Sequence, residues 1–228
     1  MRAPTPQPHR SSDLSPAELW IVFVLLTVSL LDDFVLISYI TDINDFLFFD
    51  LGKKAVMFIA CLSMVNLRTA SRQAFAVPAL PWGGTGLLNP HVLLLTAGAL
   101  FFDQIIYQVG GTWNWHLGEL ELFDVPPYRD DVIKYLDLSL GLVINSVVEE
   151  LFYRAILLAA LARFIPQWGL RIFLAGLLFG AVHWSQGAVW FATITVLGWM
   201  FCYLYHLTGS IIPGIIVHTV HNIIAFTP

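Results

Sequence analysis

Apolar residues come in long blocks along this chain, separated by short polar stretches. The blocks approach the roughly 20 residues a helix needs to cross a bilayer, and none shows the alternation over about ten residues that marks a membrane β-strand. The pattern predicts an all-α, polytopic transmembrane helix bundle of about seven spans. The first runs from about Leu19 to Ile40, a short second from Lys53 to Leu67, and a third from about Leu87 to Val109. From Val132 to about Phe164 the helical pattern is too long for one perpendicular span, so that helix tilts or begins at the surface. Shorter spans follow at about Leu170 to Trp184, Ala188 to His206 and Ile211 to Phe226, divided by turns holding Gly187 and Gly209-Ser210.

The segments between the blocks complete the division. Residues 1–16 hold Pro4, Pro6, Pro8 and Pro16 with little apolar material and read as a disordered tail. Asp32-Asp33 stands where a signal peptide would place small cleavage-site residues, so the first block reads as an uncleaved span. Asp42 to Asp50 reads as an acidic loop, Arg68 to Gly86 as a connecting loop, and Gly110 to Asp131 as a second acidic loop with Trp113 and Trp115 as interface anchors. The expected organisation is one membrane domain, with N-terminal helices and loops over 17–130 and a helical core over 131–228. Arg2, Arg10, Arg68, Arg72, Arg163 and Arg171 fall on one side against Lys53, Lys54, Arg129 and Lys134 on the other, which puts the N-terminus in the cytoplasm by the positive-inside rule.

Composition narrows the class. With 57% hydrophobic and 12% charged residues, an ordinary soluble domain is excluded. A net charge of -5 without a basic cluster argues against nucleic acid as a partner. Cys61 and Cys202 both fall in predicted spans, so neither a disulfide framework nor a metal-binding cysteine spacing is present.

Candidate chemistry centres on Asn145 to Arg154, where Glu149, Glu150 and Arg154 interrupt an apolar run. Ionisable groups at membrane depth cost several kcal/mol, roughly 2.5 to 3.5 for Arg or Asp at a helix centre, and need partners or a task. At about 100° per residue, Glu150 and Arg154 share a face and can neutralise each other, while Glu149 points elsewhere. Glu149 therefore reads as the carboxylate of a polar cavity. His183 follows Phe179 by one turn; beside Trp184 it could equally be an interface histidine. His218 and Asn222 share one face of the last span, where a plain helix-helix hydrogen bond is the alternative. Asn145 is a possible second contributor to the cavity, His221 reads as packed or hydrogen-bonded nearby, and Asp103-Gln104 as cavity-lining or interfacial. His91, His116 and His206 sit at span ends or in loops, where interface roles suffice. Together, a glutamate, a histidine and a His-Asn pair on separate spans supply what amide hydrolysis by water needs: a base, and donors for the developing oxyanion.

Glu149-Glu150-x-x-x-Arg154, Phe179-x-x-x-His183 and His218-x-x-x-Asn222, in this order and with the turn Leu207 to Pro213 before the last, resemble the three motifs of the CPBP family of type II CAAX prenyl endopeptidases, bacteriocin-processing enzymes and Abi-type proteins. The resemblance covers about residues 140 to 226. It implies a glutamic intramembrane endopeptidase in which Glu149 and His183 activate water, His218 and Asn222 face the oxyanion, and Glu150 and Arg154 support. It implies no cofactor, and a membrane-anchored peptide or protein as substrate within the lipid bilayer. A zinc-dependent protease on the same residues and a non-enzymatic membrane adaptor or immunity protein are the competing readings. Compact size and short loops point to a prokaryotic inner membrane.

Overall fold

A computed structural model describes residues 14–64, 89–117 and 126–226, and among these every regular element is helical. The elements are α1 (Pro16–Tyr39), α2 (Ile43–Ser63), α3 (Pro90–Leu117), α4 (Asp131–Leu136), a first π-helical segment (Asp137–Gly141), α5 (Leu142–Glu149), a second π-helical segment (Glu150–Leu157), α6 (Leu158–Ala162), α7 (Trp168–Ala181), a 3₁₀ turn (Trp184–Gln186), α8 (Ala188–Thr208) and α9 (Ile212–Phe226). The expected tail through residue 13, the loop at 68–86, the two ends that adjoin it and part of the second acidic loop lie outside the described residues, as do the side chains of Trp115 and His116.

Capping chemistry sets where several helices start, often earlier than hydrophobicity alone suggests. Ser15 and Glu18 form a reciprocal capping box: Ser15 N–H donates to Glu18 Oε2 at 2.9 Å, and Glu18 N–H donates to Ser15 Oγ at 3.3 Å. Pro16 fills the first helical position, where its missing N–H costs nothing. Leu14 is buried in the same apolar cluster that Leu19 joins, so residues 14–16 are part of the folded unit and not of a tail. The expected acidic loop at 42–50 is instead the first two turns of α2. Asp42 caps it by accepting from Asn44 N–H at 2.8 Å, and Asp45 sits in the first turn, where a negative charge complements the helix dipole. Asn89 caps α3 through His91 N–H, and this helix runs through Gly110-Gly111 to Leu117 rather than stopping near Val109. Gly110 is kept for space: a Cβ there would collide with the Thr193 side chain on α8.

The long fourth block is one continuous rod from Asp131, capped by Asp130, to Ala162, with the backbone right-handed through each junction. It is not a uniform α-helix, because two π segments widen it, and such insertions are rare and cluster at functional places. α8 and α9 run close to expectation. α7 ends at Ala181, short of the expected Trp184, and the chain turns through His183 into the 3₁₀ turn. Gly187 at φ 95° and Gly209 at φ 67° hold the left-handed positions that open and close α8.

α7 and α8 pair most closely. Gly176 and Gly180 on α7 face Gly198, Thr195 and Trp199 on α8, and a Cβ on Gly198 would stand 3.0 Å from the Gly176 Cα. This is the small-residue contact by which membrane helices approach. α3 packs on α8 and α9, while α9 and α2 both pack on α5. Among the described residues two helices, over Pro90–Trp113 and Ala188–Thr208, are long and apolar enough to cross a membrane; Trp168–Ala181 and Ile212–Phe226 are apolar but shorter.

Candidate active site

Glu149, His183, His218 and Asn222 border one cavity of about 460 Å³, together with Asn145 and His221. Glu150 and Arg154 do not border it. The rod thus splits adjacent carboxylates as the helical geometry predicts, one into the cavity and one into the protein.

Glu150 is wholly buried and engaged twice. Its Oε2 lies 3.2 Å from Arg154 Nε, and its Oε1 lies 3.0 Å from His218 Nδ1. An ionised carboxylate only accepts, so His218 carries its proton on Nδ1 and turns Nε2 toward the cavity. That nitrogen is 3.6 Å from Glu149 Oε2, too far for a direct hydrogen bond. The imidazole stacks on Phe201 at 5.2 Å between centroids and meets the edge of Phe179 at 6.0 Å. Its position is therefore fixed from three sides.

Arg154 is also fully buried. Its guanidinium carbon lies 4.1 Å from the centroid of Phe179 and 5.1 Å from that of Phe201, so aromatic faces replace part of the lost hydration. Among the described residues neither of its terminal nitrogens has a hydrogen-bond acceptor. Gly214 on α9 seals the other side of the pair, since a Cβ there would stand 2.7 Å from Glu150 Oε2.

His183 sits in the turn after α7 rather than on a helical face. Its Nδ1 is 2.9 Å from the Phe179 carbonyl oxygen, which can only accept, so the neutral ring carries its lone pair on Nε2. Phe179 meets the ring edge-on at 5.3 Å, the shielding contact expected of an aromatic one turn away. Asn222 donates from Nδ2 to Ser146 Oγ at 3.3 Å, and Ser146 donates in turn to the Leu142 carbonyl. One amide hydrogen of Asn222 is thereby used and its plane is set.

Several bordering groups were not singled out from sequence. Asp32, Asp33, Lys53 and Lys54 from α1 and α2 form part of the cavity wall. Lys53 is paired with Asp32 and Lys54 with Asp50, while Asp33 accepts from Ser185 Oγ at 2.5 Å and the Leu30 carbonyl accepts from the Trp184 indole. These contacts tie α1 to the turn that carries His183. Tyr128 donates to Asp137 at 2.5 Å, and burial, then that hydrogen bond, raises its pKa, so the hydroxyl stays protonated. Asp103, expected at an interface or in the cavity, is instead fully buried behind His221. Asp32, Asp33, Lys53 and Asp103 could have been found by asking which ionisable residues in or beside apolar blocks lacked a partner within their own helix, a question that passes over Lys54, paired with Asp50 one turn away. His206 stacks on Trp168 at 4.2 Å, away from the site. Among the described residues no group of three or more His, Cys, Asp or Glu is placed to hold a metal ion.

The family described as Rce1-like, type II CAAX prenyl endopeptidase Rce1-like, has a model that matches residues 132–224. No curated protein and no solved structure matches the chain. The match begins in the first turn of α4 and reaches into the last turns of α9, so α1 to α3 fall outside it while Glu149, Glu150, Arg154, His183, His218 and Asn222 all fall within. The family is membrane-embedded and its members are CAAX endopeptidases. The stretch 132–224, less than half of the chain, is thus similar to the Rce1-like family of type II CAAX prenyl endopeptidases.

Proposed function

We propose that the protein is a multi-pass intramembrane glutamic endopeptidase that hydrolyses a peptide bond in a membrane-anchored substrate. The observation that carries this reading is the unequal fate of two neighbouring carboxylates: Glu150 is consumed by Arg154 and His218, whereas Glu149 borders a cavity shared with two imidazoles and an amide. A base must reach water, and Glu149 does. Wide apolar exposure supports a lipid surround: on α1 Trp20, Phe23 and Phe34, and on α3 Leu94 and Phe101, are all more than half exposed. Seven crossings, including the shorter apolar helices, are part of the same proposal.

In the reaction so read, water is held between Glu149 and the Nε2 lone pair of His183 and gives its proton to Glu149 as its oxygen attacks the carbonyl carbon. Negative charge then gathers on the carbonyl oxygen. Asn222 Nδ2–H and the Nε2–H of His218, in its imidazolium form beside two carboxylates, are the donors for that charge. Donors of this kind are each worth about 10²- to 10³-fold in rate. Glu150 and Arg154 hold His218 and take no proton in the cycle.

The test uses the full chain in proteoliposomes with an internally quenched peptide ending in a farnesylated CAAX sequence. Cleavage is expected, and Glu149→Gln should abolish it while leaving the melting profile intact. Continued cleavage by a folded Glu149→Gln protein would overturn the mechanism, and a wild-type protein that cleaves neither this peptide nor its unlipidated counterpart would overturn the activity.

A further inference from the structure

His221 and Asp103 form a second imidazole-carboxylate pair on the same cavity, outside the three motifs. His221 lies one turn after His218 on α9, its ring borders the cavity, and its side chain is 15% exposed. Asp103 comes from α3, beyond the stretch shared with the family, and is wholly buried. His221 Nδ1 lies 3.1 Å from both carboxylate oxygens of Asp103, Gln104 donates to Oδ2 at 2.8 Å, and Tyr107 meets the imidazole edge-on at 5.1 Å. A buried carboxylate at this depth is too costly to leave uncompensated. With Nδ1 committed to Asp103, the nitrogen left to act is Nε2. Residues three apart on a helix stand about 5–6 Å apart at Cβ, so the two imidazoles of α9 reach neighbouring parts of one bound peptide.

We propose that His221 is the general acid that protonates the departing amine, with Asp103 as its positioning residue. The inference rests on the hydrolase reading above and adds the step it leaves open. After water attacks, Glu149 holds the water's proton and the intermediate carries its charge on the former carbonyl oxygen. As the carbonyl re-forms, the C–N bond breaks and its electron pair passes to nitrogen, which takes the proton from His221 Nε2. The products are a carboxylic acid and an amine. Transfer of the proton from Glu149 to His221 through cavity water restores both groups, so one water is consumed and the protein is unchanged. Asp103 compensates the imidazolium before transfer and keeps Nδ1 protonated throughout.

An amine must be protonated to leave, whereas an alkoxide leaves an ester with far less help. The experiment therefore compares the farnesylated CAAX peptide with a twin carrying an ester at the scissile bond, using the full chain in proteoliposomes. His221→Ala should slow amide cleavage by about 10²-fold or more and ester cleavage by less than about tenfold, the span expected for one general acid. His221→Asn, which keeps a donor for Asp103 but cannot act as an acid, should show the same split and guards against loss of fold. Asp103→Asn should lower kcat for the amide with KM unchanged and shift the amide-to-ester ratio in the same direction. Equal losses on both substrates, or no loss on the amide, would overturn the proposal. If wild type cleaves both twins and Glu149→Gln neither, the hydrolase reading stands and only His221 is on trial; if wild type cleaves neither, the hydrolase reading itself fails.

Discussion

Two sets of ion pairs flank the cavity, and they are built on opposite principles. On the α5 to α9 side, Glu150 and Arg154 are both wholly buried, their charges packed among Phe179, Phe201 and the gap left by Gly214. On the α1 to α2 side, Lys53 with Asp32 and Lys54 with Asp50 stand at the cavity wall, where polar surroundings screen them. The first set has no freedom and so fixes His218. The second keeps part of its surface on the cavity. The contrast follows from where each pair stands relative to the cavity.

That contrast can be broken at graded cost. The largest effect is expected at the proposed base: Glu149→Gln should reduce turnover by at least the roughly 10⁴-fold that marks the upper range for a single acid-base group, with stability unchanged in thermal melts. Next comes Arg154→Leu, which leaves the buried Glu150 carboxylate with His218 as its remaining partner and should cost about 3–5 kcal/mol, read as loss of folded protein in detergent. Adding Glu150→Leu to Arg154→Leu should recover much of that stability but not activity, because His218 Nδ1 then has no acceptor at this position; recovery of both would deny the dry pair its positioning role. Gly214→Ala should cost about 1–3 kcal/mol by pressing on Glu150, with a matching fall in melting temperature. Smallest of all, Lys54→Met leaves Asp50, which still borders the cavity, without its lysine and should cost about 1–2 kcal/mol. A larger loss there than at Gly214 would erase the distinction between the two sides.

How much of this could be read in advance varied with the kind of signal. α8 and α9 were legible because an apolar block and a glycine turn mark each boundary, and the different placement of Glu149, at the cavity, and Glu150, against Arg154, followed from helical spacing. The 42–50 segment was misread because acidic residues suggest a loop by composition, whereas Asp42 and Asp45 act by position, as cap and first-turn charge. The same is true of Ser15 and Glu18, whose spacing announces a helix start within a proline-rich stretch. Gly110-Gly111 looked like a break, yet the first of them answers to Thr193 on another helix, a constraint no local window contains. His183 was placed on a helix because the apolar block continues through Trp184, while the helix itself ends at Ala181. Asp103 gave least away, since a lone acid in a span declares neither its partner nor its depth until α3 is laid against α9.

The widened turns between Glu150 and Leu157 carry one consequence for how this protein tolerates change. A π turn holds about one residue more than an α turn, so removing a single residue there would let the backbone relax to ordinary pitch. The helix upstream would then keep its facing, with Glu149 still at the cavity, whereas a residue removed from the regular turns of α5 would swivel everything before it by about 100°. Tolerance of a shorter chain is confined to the stretch that already carries the surplus.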